Sequence, residues 1–183
     1  MPSYMVGVTK GDDGMLEFFS LTGRLKAERR RGWVRRLRVK DAESVADHSY
    51  RVALMSMVYS DLKGLDTARA LKIAMLHDLP EALVGDSMPG ELPRRTKLVK
   101  ERIAMERLLK SFPRELRSEY KHLWEEYVRG LTPEADLVKQ VDKLELILQA
   151  REYEREGYDA NLVNEFVKSA RRKIRDADLL KIL

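Results

Sequence analysis

Apolar residues recur every three or four positions along most of this chain, and that spacing admits one kind of secondary structure. Val45, His48, Val52, Met55 and Tyr59 fall on one stripe, and Leu137, Val141, Leu144 and Leu148 on another. Such spacing lines one face of a 3.6-residue helix, whereas a half-buried strand needs strict alternation. With only 10 glycines and 6 prolines in 183 residues, the chain has few of the breakers that a turn-rich fold needs. The expectation is an all-α fold. The length suits one domain with one core, taken here as residues 1–183 with the core from about 15 to about 175.

Local signals divide the helices. Residues 1–12 show no periodicity and run into Gly11-Asp12-Asp13-Gly14, a loop signal. A first helix is expected over Met15–Leu25, followed by a basic segment that Gly32-Trp33 interrupts. Ser44-Val45-Ala46-Asp47 has the form of a capping box and opens a helix running to about Leu62. The next helix starts near Asp66-Thr67 and stops near Asp78, because Pro80 lacks an N–H and disfavours helix at the residue before it. Pro80 can itself open a short helix through Glu81 and Leu83 that breaks at Gly85-Asp86. A loop over Ser87–Pro93 precedes helices near 97–112, 113–128, 134–156 and 160–175.

The chain has no cysteine, which excludes disulfides, thiolate metal sites and a cysteine nucleophile together. Any metal must be held by nitrogen and oxygen. No run is long and apolar enough to span a membrane, and the N-terminus lacks a secretory pattern, so the expected location is cytoplasmic. The net charge of +5 is unevenly placed: nine basic residues crowd Arg24–Lys40 against Glu28 alone among the acids before Asp41. Such a stretch could attract phosphate on a nucleotide or nucleic acid. It reads mainly as a solvated, ion-paired face, with a ligand role for one or two residues.

The chemistry concentrates in few residues. Three histidines are present. His48 lies on the stripe of its helix; His77-Asp78 ends another apolar run; Asp142 borders the stripe of a third. Neighbours on a helix project about 100° apart, so His77 and Asp78 converge only where the chain unwinds, which Pro80 provides. Each residue alone has a plain structural explanation, as a bonded core histidine, a cap or an ion-pair partner. Together, two imidazoles and two carboxylates suit a divalent cation tying three helices. Such an ion acidifies bound water, and Glu81, three residues past Asp78, is placed to act as general base or merely to satisfy a helix dipole. Nearby arginines could stabilise phosphoryl charge. His122 has no acidic partner pattern and reads as structural.

His48, His77-Asp78 and Asp142 match the H…HD…D order of the HD-domain metal-dependent phosphohydrolases, which this chain resembles. Glu43–Ser49, His77–Asp86 and Lys139–Lys143, with Gly32-Trp33-Val34 and Leu123–Tyr127, narrow the resemblance to the 5′-deoxynucleotidase branch, including the HD domain-containing protein 2 group. It covers roughly Leu16–Tyr153. The resemblance implies an all-α HD-domain fold and removal of phosphate from deoxyribonucleoside 5′-monophosphates. It also implies one divalent cation (Co2+, Mn2+, Zn2+ or Mg2+) and a homodimer. By motif position His48, His77, Asp78 and Asp142 would hold the metal and Glu81 would act on the attacking water. Asp86 would contact the sugar 3′-hydroxyl and crowd a ribose 2′-hydroxyl. Arg31 or Arg30 would grip the phosphate, the register leaving both open, and Trp33 would either touch substrate or pack in the core. Three alternatives remain: an HD phosphohydrolase acting on another nucleotide or phosphoester; ranked lower for want of interleaved aromatics, a basic nucleic-acid-binding module; and a metal site that only stiffens the fold.

Overall fold

The computed structural model describes the backbone from Lys10 and side chains from Gly14 to Leu183; the unpatterned residues 1–9 lie outside the described residues. Among the described residues nine α-helices follow in order: α1 (Lys10–Thr22), α2 (Val45–Lys63), α3 (Thr67–Leu76), α4 (Glu81–Val84), α5 (Arg94–Lys110), α6 (Arg117–Arg129), α7 (Pro133–Arg155), α8 (Ala160–Arg171) and α9 (Ala177–Lys181). A 3-10 turn, Gly23–Lys26, and a π-helical turn, Trp33–Leu37, lie between α1 and α2. The described residues form no strand, and the fold is all-α as expected.

α7 runs through the centre and touches α2, α3, α6, α8 and α9. Its Val138, Val141, Leu144, Ile147 and Ala150 are buried. The apolar cluster extends from Phe18 to Leu179, so the core passes the expected limit of 175 because α9 docks on α7. The capping box forms as read: the Asp47 amide donates to Ser44 Oγ at 3.1 Å and the Ser44 amide to Asp47 Oδ2 at 2.8 Å. This cap fixes the start of the helix that carries His48. Ser44→Ala should therefore cost about 1 kcal/mol, measured by chemical denaturation.

Several boundaries differ from expectation for identifiable reasons. α1 runs back through the Gly11–Gly14 loop signal. There α1 crosses the end of α5, and a Cβ on Gly14 would meet the Ser111 carbonyl oxygen at 2.9 Å, so the glycine serves close helix approach rather than a turn. α5 begins directly after Pro93, three residues before the expected start, because Arg94-Arg95 are good helix formers without an apolar signature. The helix expected from Pro113 starts at Arg117. The Arg117 guanidinium donates to the Lys110 and Phe112 carbonyls at 2.6 and 2.7 Å, closing α5 and displacing the next helix start. α3 ends at Leu76, and turns through His77–Pro80 lead into α4, as Pro80 requires.

Candidate active site

Four of the residues singled out by the sequence meet where α2, α3 and α7 approach one another. His48 lies in the first turns of α2, His77 is the residue that caps the end of α3, Asp78 follows it in the turn, and Asp142 is midway along α7. The Nε2 atoms of His48 and His77 face each other at 3.3 Å. Asp78 Oδ2 lies 3.2 Å from His77 Nε2 and 3.6 Å from His48 Nε2. Asp142 Oδ1 approaches His48 Nε2 at 3.5 Å, while Asp142 Oδ2 accepts from Tyr127 at 3.2 Å and from Lys143 at 2.5 Å.

The opposite edges of the two rings are already bound. His77 Nδ1 faces the Ala74 carbonyl at 2.6 Å and His48 Nδ1 faces Glu145 at 2.5 Å. A carbonyl or carboxylate requires a donor, so both Nδ1 atoms carry the hydrogen, and in neutral rings both Nε2 lone pairs point into the cluster. Two lone pairs at that distance repel unless a cation or a proton lies between them. The donor chemistry therefore fits a divalent cation: His48, His77 and Asp78 form one of the clusters able to hold a metal ion, their donor atoms all within 4.8 Å of one another, with Asp142 beside His48. A second acidic grouping, Glu43, His48 and Glu145, is a poorer candidate, because Glu145 is already engaged by His48 and by Arg51.

Glu145 was not picked out by the sequence. It is fully buried on α7 and takes two further hydrogen bonds from Arg51, at 2.8 and 3.0 Å. Arg51 is tied in turn to Gln149 and Glu152 at 2.7 Å each. This arrangement fixes the tautomer and tilt of His48, as a carboxylate behind a ligating imidazole does. A signal was present: Arg51 stands three residues after His48, and Glu145 three after Asp142, each on the same helix face.

Electrostatics separate the roles of the acids. Burial alone would raise Asp78 and Asp142, but the imidazoles with Arg30 beside Asp78, and Lys143 with the imidazoles beside Asp142, hold both below the usual carboxylate range. Glu81 is pushed well above it by burial and by the charges of Asp78 and Asp86. It is 4% exposed, its Oε2 has no hydrogen-bond partner, and the Lys97 ammonium lies 3.8 Å from its Oε1. Burial lowers His48, yet Asp142 and Glu145 hold it up at about 9, so a cation entering the cluster displaces a proton there.

Around this cluster opens a cavity of about 650 Å3 whose walls include Arg30, Glu81, Asp86, Trp124, Lys139 and Lys173. A smaller pocket of about 390 Å3 adjoins it across Asp86, Ser87, Lys97 and Glu101. Arg30 enters the site, its Nη1 3.2 Å from Asp78 Oδ2. The Arg31 side chain turns away to Glu91 at 3.4 Å, while its backbone N–H donates to Asp86 Oδ2 at 2.5 Å. The Asp86 amide donates to Glu28 at 3.0 Å. Gly85 has φ +75°, and a Cβ there would press on that same Glu28 carboxylate at 3.2 Å. Trp33 is buried against Tyr153 and Phe166 and donates from Nε1 to Glu43 at 2.7 Å. Of the remaining basic stretch, Arg29 donates to the Ala42 carbonyl, Arg35 pairs with Glu91 and Arg36 with Glu165. His122 is exposed and pairs with Glu126.

A helical bundle with paired histidines and aspartates at its centre defines a class, and the sequence agrees with it. The HD domain pattern matches residues 22–182, and the chain belongs to the HD-domain family. It is similar to the 5′-deoxynucleotidase HDDC2 of Homo sapiens, 38% identical over 174 residues that make up 94% of this chain and 84% of the human one. The 5′-deoxynucleotidase HDDC2 of Dictyostelium discoideum is 41% identical over 151 residues, 78% of this chain and 79% of that one. Among solved structures, PH0347 protein from Pyrococcus horikoshii OT3 superposes with a TM-score of 0.78 at 31% identity, covering 91% of this chain and 94% of that one. A conserved hypothetical protein from Pyrococcus furiosus gives 0.72 at 36% identity over the same shares.

Proposed function

We propose that this protein is a metal-dependent 5′-deoxynucleotidase, releasing phosphate from deoxyribonucleoside 5′-monophosphates. The observation that carries this reading is the pair of imidazole Nε2 atoms turned on each other beside Asp78, with Arg30 at the same carboxylate and a nucleotide-sized cavity outside. The 5′-deoxynucleotidases to which the chain is similar at 38–41% identity support the substrate class.

His48, His77, Asp78 and Asp142 are the residues that would hold the cation. When bound, such an ion supplies Lewis acidity toward the phosphoryl oxygens and acidifies water. Two imidazoles favour zinc, cobalt or manganese over magnesium, which prefers oxygen donors and water. Arg30 binds the phosphoryl oxygens; its side chain reaches the cluster, whereas that of Arg31 is held by Glu91. Arg31 contributes its backbone N–H, which fixes Asp86. Glu81, pushed above the usual carboxylate range by burial and its acidic neighbours, manages the proton of the attacking water. Asp86 takes the sugar 3′-hydroxyl and crowds a 2′-hydroxyl. Trp33 packs the wall behind Arg30.

A screen for phosphate release tests the reading. The metal-stripped protein is crossed with deoxy- and ribonucleoside 5′-monophosphates and with Zn2+, Co2+, Mn2+ and Mg2+. Release from deoxy substrates, restored by added ion, is the expected result; no release with any ion overturns it. In the same screen Asp86→Ala should bring the deoxy-to-ribo preference toward unity, and an unchanged preference removes the role given to Asp86.

The same reading includes a homodimer and a cytoplasmic location. For the dimer, α2 offers an outward stripe of Tyr50, Leu54, Val58 and Leu62, 70, 45, 45 and 76% exposed at four-residue spacing. An aligned apolar face of this kind suits a second copy of the chain. Leu54→Glu should shift sedimentation toward the monomer; an unchanged profile moves the interface elsewhere. No helix of the described residues is long and apolar enough to cross a membrane.

A further inference from the structure

The cavity is divided by charge. At the α4–α5 end, Glu81, Asp86 and Glu101 surround the single ammonium of Lys97, which stands 3.8 Å from Glu81 and 3.4 Å from Glu101. The wall built from α6, α7 and the end of α8 is basic, with Lys139, Lys143 and Lys173. Lys143 is matched by Asp142. Among the described residues, no carboxylate forms an ion pair with Lys139 or Lys173, and the Lys139 ammonium donates to the Val128 carbonyl at 3.0 Å. Burial, Arg94 and Lys143 hold Lys139 below its ordinary value, and burial with Lys143 does the same to Lys173. Asp136 and Asp142 offset this in part from beyond ion-pair distance, so the cations crowd one another without a carboxylate in contact. Trp124, 1% exposed, belongs to the same wall, and its indole N–H has no hydrogen-bond partner. Ammonium groups with no carboxylate in contact, beside an indole N–H with no partner on one wall of a cavity, suit an anion.

A 5′-monophosphate, its one phosphoryl group at Arg30 and the His–Asp cluster, leaves these donors unmatched. We propose that the Lys139–Lys173 wall is a subsite for the second phosphoryl group of a nucleoside 5′-diphosphate or triphosphate, which then occupies the cavity as a ligand competing with the monophosphate. The proposal rests on the nucleotide reading above only in placing the first phosphoryl group.

The test is calorimetric binding to the metal-loaded protein at about 0.15 M salt with two probes that resist cleavage. One is the deoxyadenosine diphosphate analogue in which carbon replaces both the 5′ ester oxygen and the oxygen bridging the two phosphorus atoms. The other is the deoxyadenosine phosphonate in which carbon replaces the 5′ ester oxygen. The parent protein should prefer the first by roughly tenfold, about the worth of one charged hydrogen bond. Lys139→Gln with Lys173→Gln should erase that preference while leaving phosphonate binding, and phosphate release from deoxyadenosine 5′-monophosphate, unchanged. Lys173→Gln alone, at an exposed position that leaves the fold intact, should lose about half of the preference on a logarithmic scale. Equal binding of the two probes by the parent protein, or an undiminished preference in both variants, overturns the proposal. No phosphate release by the parent protein, with its probe preference present and erased in the double variant, would instead count against the nucleotidase reading and leave the subsite standing.

Discussion

Asp78→Asn is expected to reduce phosphate release by on the order of a thousandfold, the upper end of what one electrostatic contact at a reacting group supplies. Among the described residues, Asp78 Oδ2 is the one carboxylate atom within 3.6 Å of both histidine Nε2 atoms and of Arg30. Asparagine keeps the shape but removes the charge that attracts a cation and orients the arginine. The imidazoles and Arg30 hold Asp78 below the usual carboxylate range, so losing its charge should lower the metal-free melting temperature, an effect that relief of the like charge on Glu81 offsets in part. The increase in melting temperature on adding metal should disappear. Phosphate release at the parent rate would remove Asp78 from the site.

Glu145 predicts two separable losses. Glu145→Gln should weaken metal affinity by about 10–100-fold, the usual effect of altering a carboxylate behind a ligating histidine. The catalytic geometry should be recovered at saturating metal. Glu145→Ala should in addition destabilise the protein by about 3–5 kcal/mol, because removing one partner of a buried pair leaves the other charge uncompensated. Arg51 is 27% exposed on its side chain, which places the loss toward the lower end. Metal titration followed by melting temperature separates the effects. A Gln variant with parental metal affinity would reduce Glu145 to a packing residue.

The helices and the cluster were legible because both are written in local terms. A stripe at three-and-four spacing states which face of a helix turns inward, and His48, His77, Asp78 and Asp142 all lie on or beside such faces. Pro80 announced the unwinding that lets His77 and Asp78 converge. What stayed hidden depends on contacts between distant segments. His48 meets Glu145 across 97 positions, and nothing local to either residue states which helix the other will face. The choice between Arg30 and Arg31 turns on Glu91, which captures the Arg31 side chain. The place of Trp33 turns on Glu43, Tyr153 and Phe166 around its ring. The π-helical turn Trp33–Leu37 escaped because its five residues offer too short a window for periodicity, and it closes at Arg38 in a left-handed conformation, φ 60°. The α9 segment escaped for the same reason of length, although Asp176 caps it through the Asp178 and Leu179 amides.

The central claim is that side chains from α2, the end of α3 and α7 share one cation. Anomalous diffraction from manganese-loaded crystals addresses it directly. The account predicts one peak per chain, within coordination distance of His48 Nε2, His77 Nε2, Asp78 and Asp142. A manganese peak elsewhere, or none at this cluster under saturating metal, contradicts it.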